Sequence, residues 1–199
     1  LLILLVGARG FEPPTSCSRI CLIALHCGLR FGEIANLTWG DIDLASGAIY
    51  IRDPKNNTTR VAYMTDAVSK MFASKTSGQP DEFVFKDKKH GRKIQKISKA
   101  FVRSVKALGL NEGIQDPRMK VCFHTLRHTF GSWLVIAGVP IYTVKELMGH
   151  KTLAMTERYA HLAAEAQRKA VKELEKVAGR VNPDNAISFA EPGEQGHEQ

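Results

Sequence analysis

The segment from 124 to 178 most constrains the fold, because it reads as helix after helix with little room between them. Apolar residues recur at helical spacing over about 124–137, 140–148, 152–159 and 161–178, and the last of these is long and amphipathic. Pro140 suits the first turn of its helix. The first helix opens with HTLRHTF, which sets His124, Arg127 and His128 at positions i, i+3 and i+4, on one helical face. Two histidines and an arginine together are unusual for a helix that must also bury an apolar face.

Upstream the patterning is mixed. Residues 7–18 are rich in Gly, Pro and Ser and read as irregular chain. SRICLIALHCG is an apolar helix with Ser18 as N-cap and Gly28 as stop, and FGEIANLTW is a second, short helix. GAIYIRD and TTRVAYMT alternate as strands around a PKNN turn. TDAVSKMFAS is a helix capped by Thr65 or Asp66, and DEFVF a short strand. The expected fold is therefore α+β, mainly α-helical, with a small antiparallel β-sheet of about three strands at one edge. The expected organisation is an irregular segment over 1–18, truncated or mis-started, one domain over 19–179 and a flexible acidic tail over 180–199.

Charge narrows the partners. The chain carries 28 Lys and Arg against 20 Asp and Glu, which favours a polyanion such as nucleic acid or an anionic membrane surface. Residues 86–106 hold nine of those cations against the single acid Asp87. Ile94, Ile97, Phe101, Val105 and Leu108 give this stretch an apolar face, so it is expected to be a helix. Its cations form either a plainly solvated face or a contact to a polyanion. Four cysteines without paired CxxC spacing suit neither a disulfide scaffold nor a zinc site and read as reduced thiols. LLILLV at 1–6 is too short to span a bilayer and lacks the flanks of a signal peptide, so a cytoplasmic location with no membrane partner is expected.

Three readings compete for HTLRHTF. Zinc proteases also place histidines at i and i+4, but with Glu after the first, where this chain has Thr125. A structural reading has both histidines satisfied at an interface. A phosphate clamp would use the planar, always-charged guanidinium with a histidine beside it. A clamp needs further donors, and the chain offers them: Arg30 with Glu33 three residues on, Lys55 at the hairpin tip, His150 after Gly149, and the phenol of Tyr159. Each is ordinary alone. Together they could surround a phosphodiester with cations that stabilise charge building on its oxygens while a phenol attacks. No carboxylate cluster accompanies them to hold a metal.

These residues, in the order Arg, Lys, His-x-x-Arg, His, Tyr, resemble the tyrosine recombinases of the phage-integrase family. The matching text is ALHCGLRFGEIANLTWGDID, PKNNTTRVAYMT and HTLRHTFGSWLVIAGVPIYTVKELMGHKTLAMTERYAHL. The resemblance runs from about 19 to 178 and implies the helical catalytic domain of that family. It implies that Arg30 and Arg127 bind the scissile phosphate and that His124 assists near the tyrosine as donor or proton acceptor. Lys55 would protonate the leaving 5′ oxygen, His150 would hydrogen-bond the phosphate, and Tyr159 would form a covalent 3′-phosphotyrosine. Glu33 takes a supporting position and His128 a structural one. No metal, ATP or other cofactor is implied. The partners implied are double-stranded DNA and further copies of the chain in a homotetramer on DNA; the basic stretch, through Lys89, Arg92, Lys93 and Lys96, is expected to contact the DNA backbone. The C-terminal helix and tail would pack on a neighbour. The sequence departs from the family at Tyr63, where a proline is common, and the N-terminal core-binding domain is expected to be absent. Strand exchange is the expected activity. Topoisomerase IB-like relaxation and a DNA-binding remnant are the alternatives.

Overall fold

The computed structural model describes residues 16–53, 58–75, 77–87 and 90–178. Among them α1 (Ser16–His26) is the central helix. It starts before Ser18, and its apolar face (Ile20, Ile23 and Ala24) is buried together with Cys27 just beyond its end. Against it pack the short α2 (Phe31–Asn36), α3 (Asp66–Ala73) and α5 (Phe123–Ile136). Thr65 is the N-cap residue of α3.

The sheet has the expected size but a different third member. It is antiparallel in the order β1 (Ile42–Asp43), β2 (Ala48–Asp53), β3 (Thr58–Tyr63). Ile49 pairs with Ala62 and Ile51 with Arg60, and cross-strand partners share a face. Ile49, Ile51 and Ala62 are buried, so Arg60 lies on the inward face among apolar neighbours. DEFVF does not form a strand. Phe83 makes an isolated bridge to Thr38, flanked by Val84 N–H donating to Leu37 O and Trp39 N–H donating to Glu82 O. The ladder stops there because the partner chain turns into a 3-10 helix at Trp39–Asp41, with Asp41 accepting from the Thr38 N–H and hydroxyl.

The basic stretch is also shorter as a helix than expected. α4 spans only Lys99–Ala107, capped by the Ser98 hydroxyl, and buries Phe101 and Val105. The described residues before it form an irregular loop, with Gly91 in the left-handed region and a bridge between Lys86 and Lys93. Closely spaced lysines and a turn glycine oppose helix formation there. Ile94 still packs on the core, whereas Ile97 is exposed.

Beyond α5 lie α6 (Ile141–Met148), with Pro140 as its N-cap, the short α7 (Ala154–Glu157) and a 3-10 turn at Ala160–Ala163. Val135, Val144, Met148 and Tyr159 form a second apolar cluster, separate from the one around α1. From Ala164 on, the described residues belong to a second unit and form α8 (Ala164–Ala178), which leaves Val171 and Leu174 exposed. None of the described helices is long and apolar enough to cross a membrane, and all four cysteines are free.

Candidate active site

The site lies where the two apolar clusters meet on α5. Leu126 belongs to the first cluster and Val135 to the second, and Arg127 sits between them, 1% exposed. Its guanidinium donates to the carbonyls of Gly28 and Met148 and stands 4.0 Å from Glu33. A buried cation needs such partners, and these tie the end of α1 to the end of α6.

Glu33 is the hub beneath the cations. It sits in the first turn of α2 and accepts the Arg30 N–H at 2.7 Å, in the manner of a capping box. Its carboxylate also accepts from Arg30 Nη1 at 2.9 Å and from Arg60 Nη2 at 2.8 Å. Arg30 reaches across to the Gly149 carbonyl as well. One acid thereby orients Arg30 and Arg60 and lies close to Arg127.

Gly149 ends α6 in a Schellman arrangement. The His150 N–H donates to Lys145 O and the Gly149 N–H to Glu146 O. Gly149 has φ +59, and a Cβ there would fall 2.4 Å from the Arg60 Cδ. His150 follows directly, with its Nδ1 2.8 Å from the fully buried Thr156 hydroxyl. That contact leaves Nε2 as the nitrogen available to a ligand. Thr156 is three residues before Tyr159, so the histidine is fixed to the segment carrying the phenol.

Tyr159 is 4% exposed, its ring held in the second cluster. Gly131 lets α5 come this close, since a Cβ there would lie 3.2 Å from Tyr159 Cζ and 2.7 Å from Met148 Sδ. The phenol oxygen lies 2.6 Å from His128 Nδ1. His124 stands edge-to-face on His128, with ring centroids 4.6 Å apart.

Arg30, Arg127, Arg158, the three histidines and Tyr159 line one open cavity of about 370 Å³, together with Ala154 and Met155. Three guanidiniums face it and, among the described residues, no carboxylate lines it. Burial and the neighbouring cations, chiefly Arg127, push His150 down to about 4. Burial, His124, Arg158 and Arg127 do the same to His128. His124 is lowered by burial and then by Arg127. Burial raises the Tyr159 phenol, against the pull of Arg158 and Arg127. Arg127 falls to about 10 through burial and the repulsion of Arg30, and so stays charged at neutral pH. A site so loaded with positive charge, and with its histidines neutral, is set to receive an anion.

The sequence model of the phage integrase family matches residues 13–166. The chain belongs to this family. The integrase of Salmonella phage P22 is 31% identical over 180 residues, covering 85% of this chain and 45% of that protein. The tyrosine recombinase XerA of Thermococcus kodakarensis is 31% identical over 176 residues, covering 84% of this chain and 60% of that one. The chain thus spans about half the length of these curated relatives. Among solved structures, the catalytic domain of bacteriophage HP1 integrase superposes with TM-score 0.54 at 28% identity, over 78% of this chain and 80% of that one. The XerA recombinase crystal structure superposes with TM-score 0.62 at 26% identity, over 85% of this chain and 60% of that one. The fold is accordingly that of a tyrosine recombinase catalytic domain.

Of the residues expected in the site of this family member, Arg30, Glu33, His124, Arg127, His128, His150 and Tyr159 converge. Lys55 and Lys89 lie outside the described residues. Arg92, Lys93 and Lys96 are exposed on the irregular loop, not on a helix. Lys93 Nζ donates to Asn36 at the end of α2, whose six residues rise only about 9 Å from the Arg30 end. His128, expected to take a structural position, also touches the phenol. Arg60, Arg158 and Thr156 were not expected. An inward-facing cation on an alternating strand is the signal that could have found Arg60.

Two expected outcomes follow from this geometry. Replacing Gly149 with Ala forces a left-handed residue and a Cβ onto the Arg60 stem. The backbone cost of about 1–2 kcal/mol alone should lower Tm by roughly 2–8 °C. Weaker inorganic sulfate binding should accompany it, as measured by calorimetry. The second outcome concerns pH. Folded His128 and His150 hold fewer protons than unfolded ones between about 4 and the ordinary 6.5, so stability is full above that window and lost as pH falls through it. Thermal scans from pH 7 to 4.5 should show Tm falling, less steeply in His150→Asn and less steeply with sulfate present.

Proposed function

We propose that this chain breaks and rejoins double-stranded DNA by site-specific strand exchange, through a covalent link between Tyr159 and a 3′ phosphate. The observation that carries the reading is a buried, hydrogen-bonded phenol facing a cavity lined by Arg30, Arg127 and Arg158 with no lining carboxylate among the described residues. Arg30, Arg127 and His150 hold the scissile phosphate and stabilise the charge of the pentavalent transition state. Glu33 and Arg60 keep those donors in place. Lys55, which falls between β2 and β3 in the sequence, protonates the 5′ oxygen as it leaves. Bond energy is conserved in the phosphotyrosine, so neither ATP nor a metal is required by this scheme.

The names of the relatives favour strand exchange over topoisomerase-like relaxation or a binding remnant. Solved neighbours include the Tn1549 transposon integrase in complex with circular intermediate DNA and XerH bound to its difH substrate. Arg92, Lys93 and Lys96, exposed on the loop before α4, supply backbone contacts to the duplex, and a homotetramer on DNA is the working assembly. The deciding experiment incubates the chain with labelled duplexes nicked just 3′ of each tested position, so that the short 5′-hydroxyl strand diffuses away. A labelled band that resists denaturant and disappears with protease supports the scheme. Absence of any adduct across a set of integrase-type crossover sequences would overturn it.

A further inference from the structure

We propose that His128 Nδ1, and not His124, takes the proton of the Tyr159 hydroxyl during strand cleavage. The inference rests on the phosphotyrosine reading above and assigns a step that reading leaves open. Its ground is geometric. Nδ1 and the phenol oxygen are 2.6 Å apart, the range of a direct transfer. His128 is half-buried on α5, one turn after the exposed His124, whose ring stands edge-to-face on it, and the His128 ring lies 6.0 Å from the Tyr159 ring, centroid to centroid.

The step balances. With the His128 proton on Nε2, the Oη–H bond breaks toward Nδ1 and the Oη electron pair attacks phosphorus. The bond from phosphorus to the 5′ oxygen breaks, and that oxygen takes a proton from Lys55. His128 is left as imidazolium, and it returns its proton to Oη when the 5′ hydroxyl attacks in the rejoining step.

Charge makes this acceptor responsive to substrate. The groups facing His128 are His124 and Arg127 on its own helix and Arg158 and Tyr159 from the segment opposite. In the free site these cations keep it a poor base. A phosphodiester seated among Arg30, Arg127 and Arg158 cancels that field, and the second negative charge of the transition state favours the imidazolium further. The phenol is therefore deprotonated efficiently only when DNA is in place, which protects the enzyme from reacting with other electrophiles.

The test uses His128→Asn, because the Asn Oδ1 can accept the same hydrogen bond but cannot take the proton. Single-turnover cleavage of the nicked duplex is measured with tyrosine or 3,5-difluorotyrosine at position 159, beside His124→Asn and with Tm and DNA affinity as controls. The expected result is a cleavage rate lower by about 10²–10³-fold in His128→Asn, rising steadily with pH, and largely restored by the more acidic phenol. His124→Asn should show a smaller loss and no such restoration. Restoration confined to His124→Asn would assign the proton to His124. No restoration in either would reduce His128 to a positioning role. Both results overturn the proposal, whereas failure of the unaltered protein to form any adduct would instead remove the reading beneath it.

Discussion

Tyr159→Phe is expected to abolish covalent capture of DNA completely while leaving noncovalent binding within about twofold. The ring is buried in the cluster of Val135, Val144 and Met148, and phenylalanine keeps that packing. What is lost is one oxygen and its bond to His128. A single hydrogen bond of this kind contributes about 0.5–1.5 kcal/mol net, so Tm should change by only a few degrees. The cavity's donors Arg30, Arg127 and His150 are held by Glu33, the Gly28 carbonyl and Thr156, and not by the phenol. The effect should therefore be confined to chemistry, with no adduct at any pH and an unchanged gel-shift. A residual adduct in Tyr159→Phe would mean that another nucleophile attacks the phosphate, and the assignment of Tyr159 would fail.

Much of this site could be read from the sequence because its spacing is local. Arg30 and Glu33 are three residues apart, and His124 and Arg127 share one helix face, so helical periodicity alone brings each pair together. His150 was marked by the glycine that stops its helix. Other features depend on how distant segments register. The phenol meets His128 because of the rotation of α5 relative to a turn 31 residues later, and no local pattern encodes that angle. Arg60 looks like an ordinary strand residue until its pairing with Ile51 puts it on the inner face, against Glu33. The two misread elements share a cause. DEFVF has strand composition, but its partner segment leaves the ladder after one residue. The basic stretch before α4 has helix-like apolar spacing, but in its described part repulsion among lysines and the Gly91 turn outweigh it. In both, tertiary surroundings override propensity.

The division of labour between the two apolar clusters has a mechanical consequence. The first carries Arg30 and the Arg60 strand, and the second carries Tyr159. Arg127 and the Gly149 turn join them: Arg127 bonds both sides, and Arg30 and Arg60 reach the carbonyls of Gly149 and Leu147. These polar bonds help to fix the Tyr159 side against the Arg30 side. Misalignment of about 1 Å can cost on the order of 10²-fold in rate, so substitutions at this seam should reduce cleavage more than their effect on Tm would suggest.

Arg127 tests that argument most severely. In Arg127→Ala the carbonyls of Gly28 and Met148 lose their donors inside the protein, at about 1–3 kcal/mol each, and Tm should fall by at least about 5 °C. Cleavage should fall by at least about 10³-fold even at temperatures where the variant is folded, because a fixed donor to the developing charge is gone and the seam is loosened. Arg127→Lys separates charge from geometry. One ammonium keeps the positive field but cannot span two carbonyls and a phosphate oxygen in the plane a guanidinium offers. Its cleavage rate should fall by roughly 10²–10³-fold, with a smaller loss in Tm and nearly unchanged DNA affinity. If the lysine variant cleaved like the parent, the bonds to Gly28 and Met148 would be incidental and field alone would account for Arg127. If it bound DNA as weakly as the alanine variant, the residue would serve substrate affinity and not the transition state.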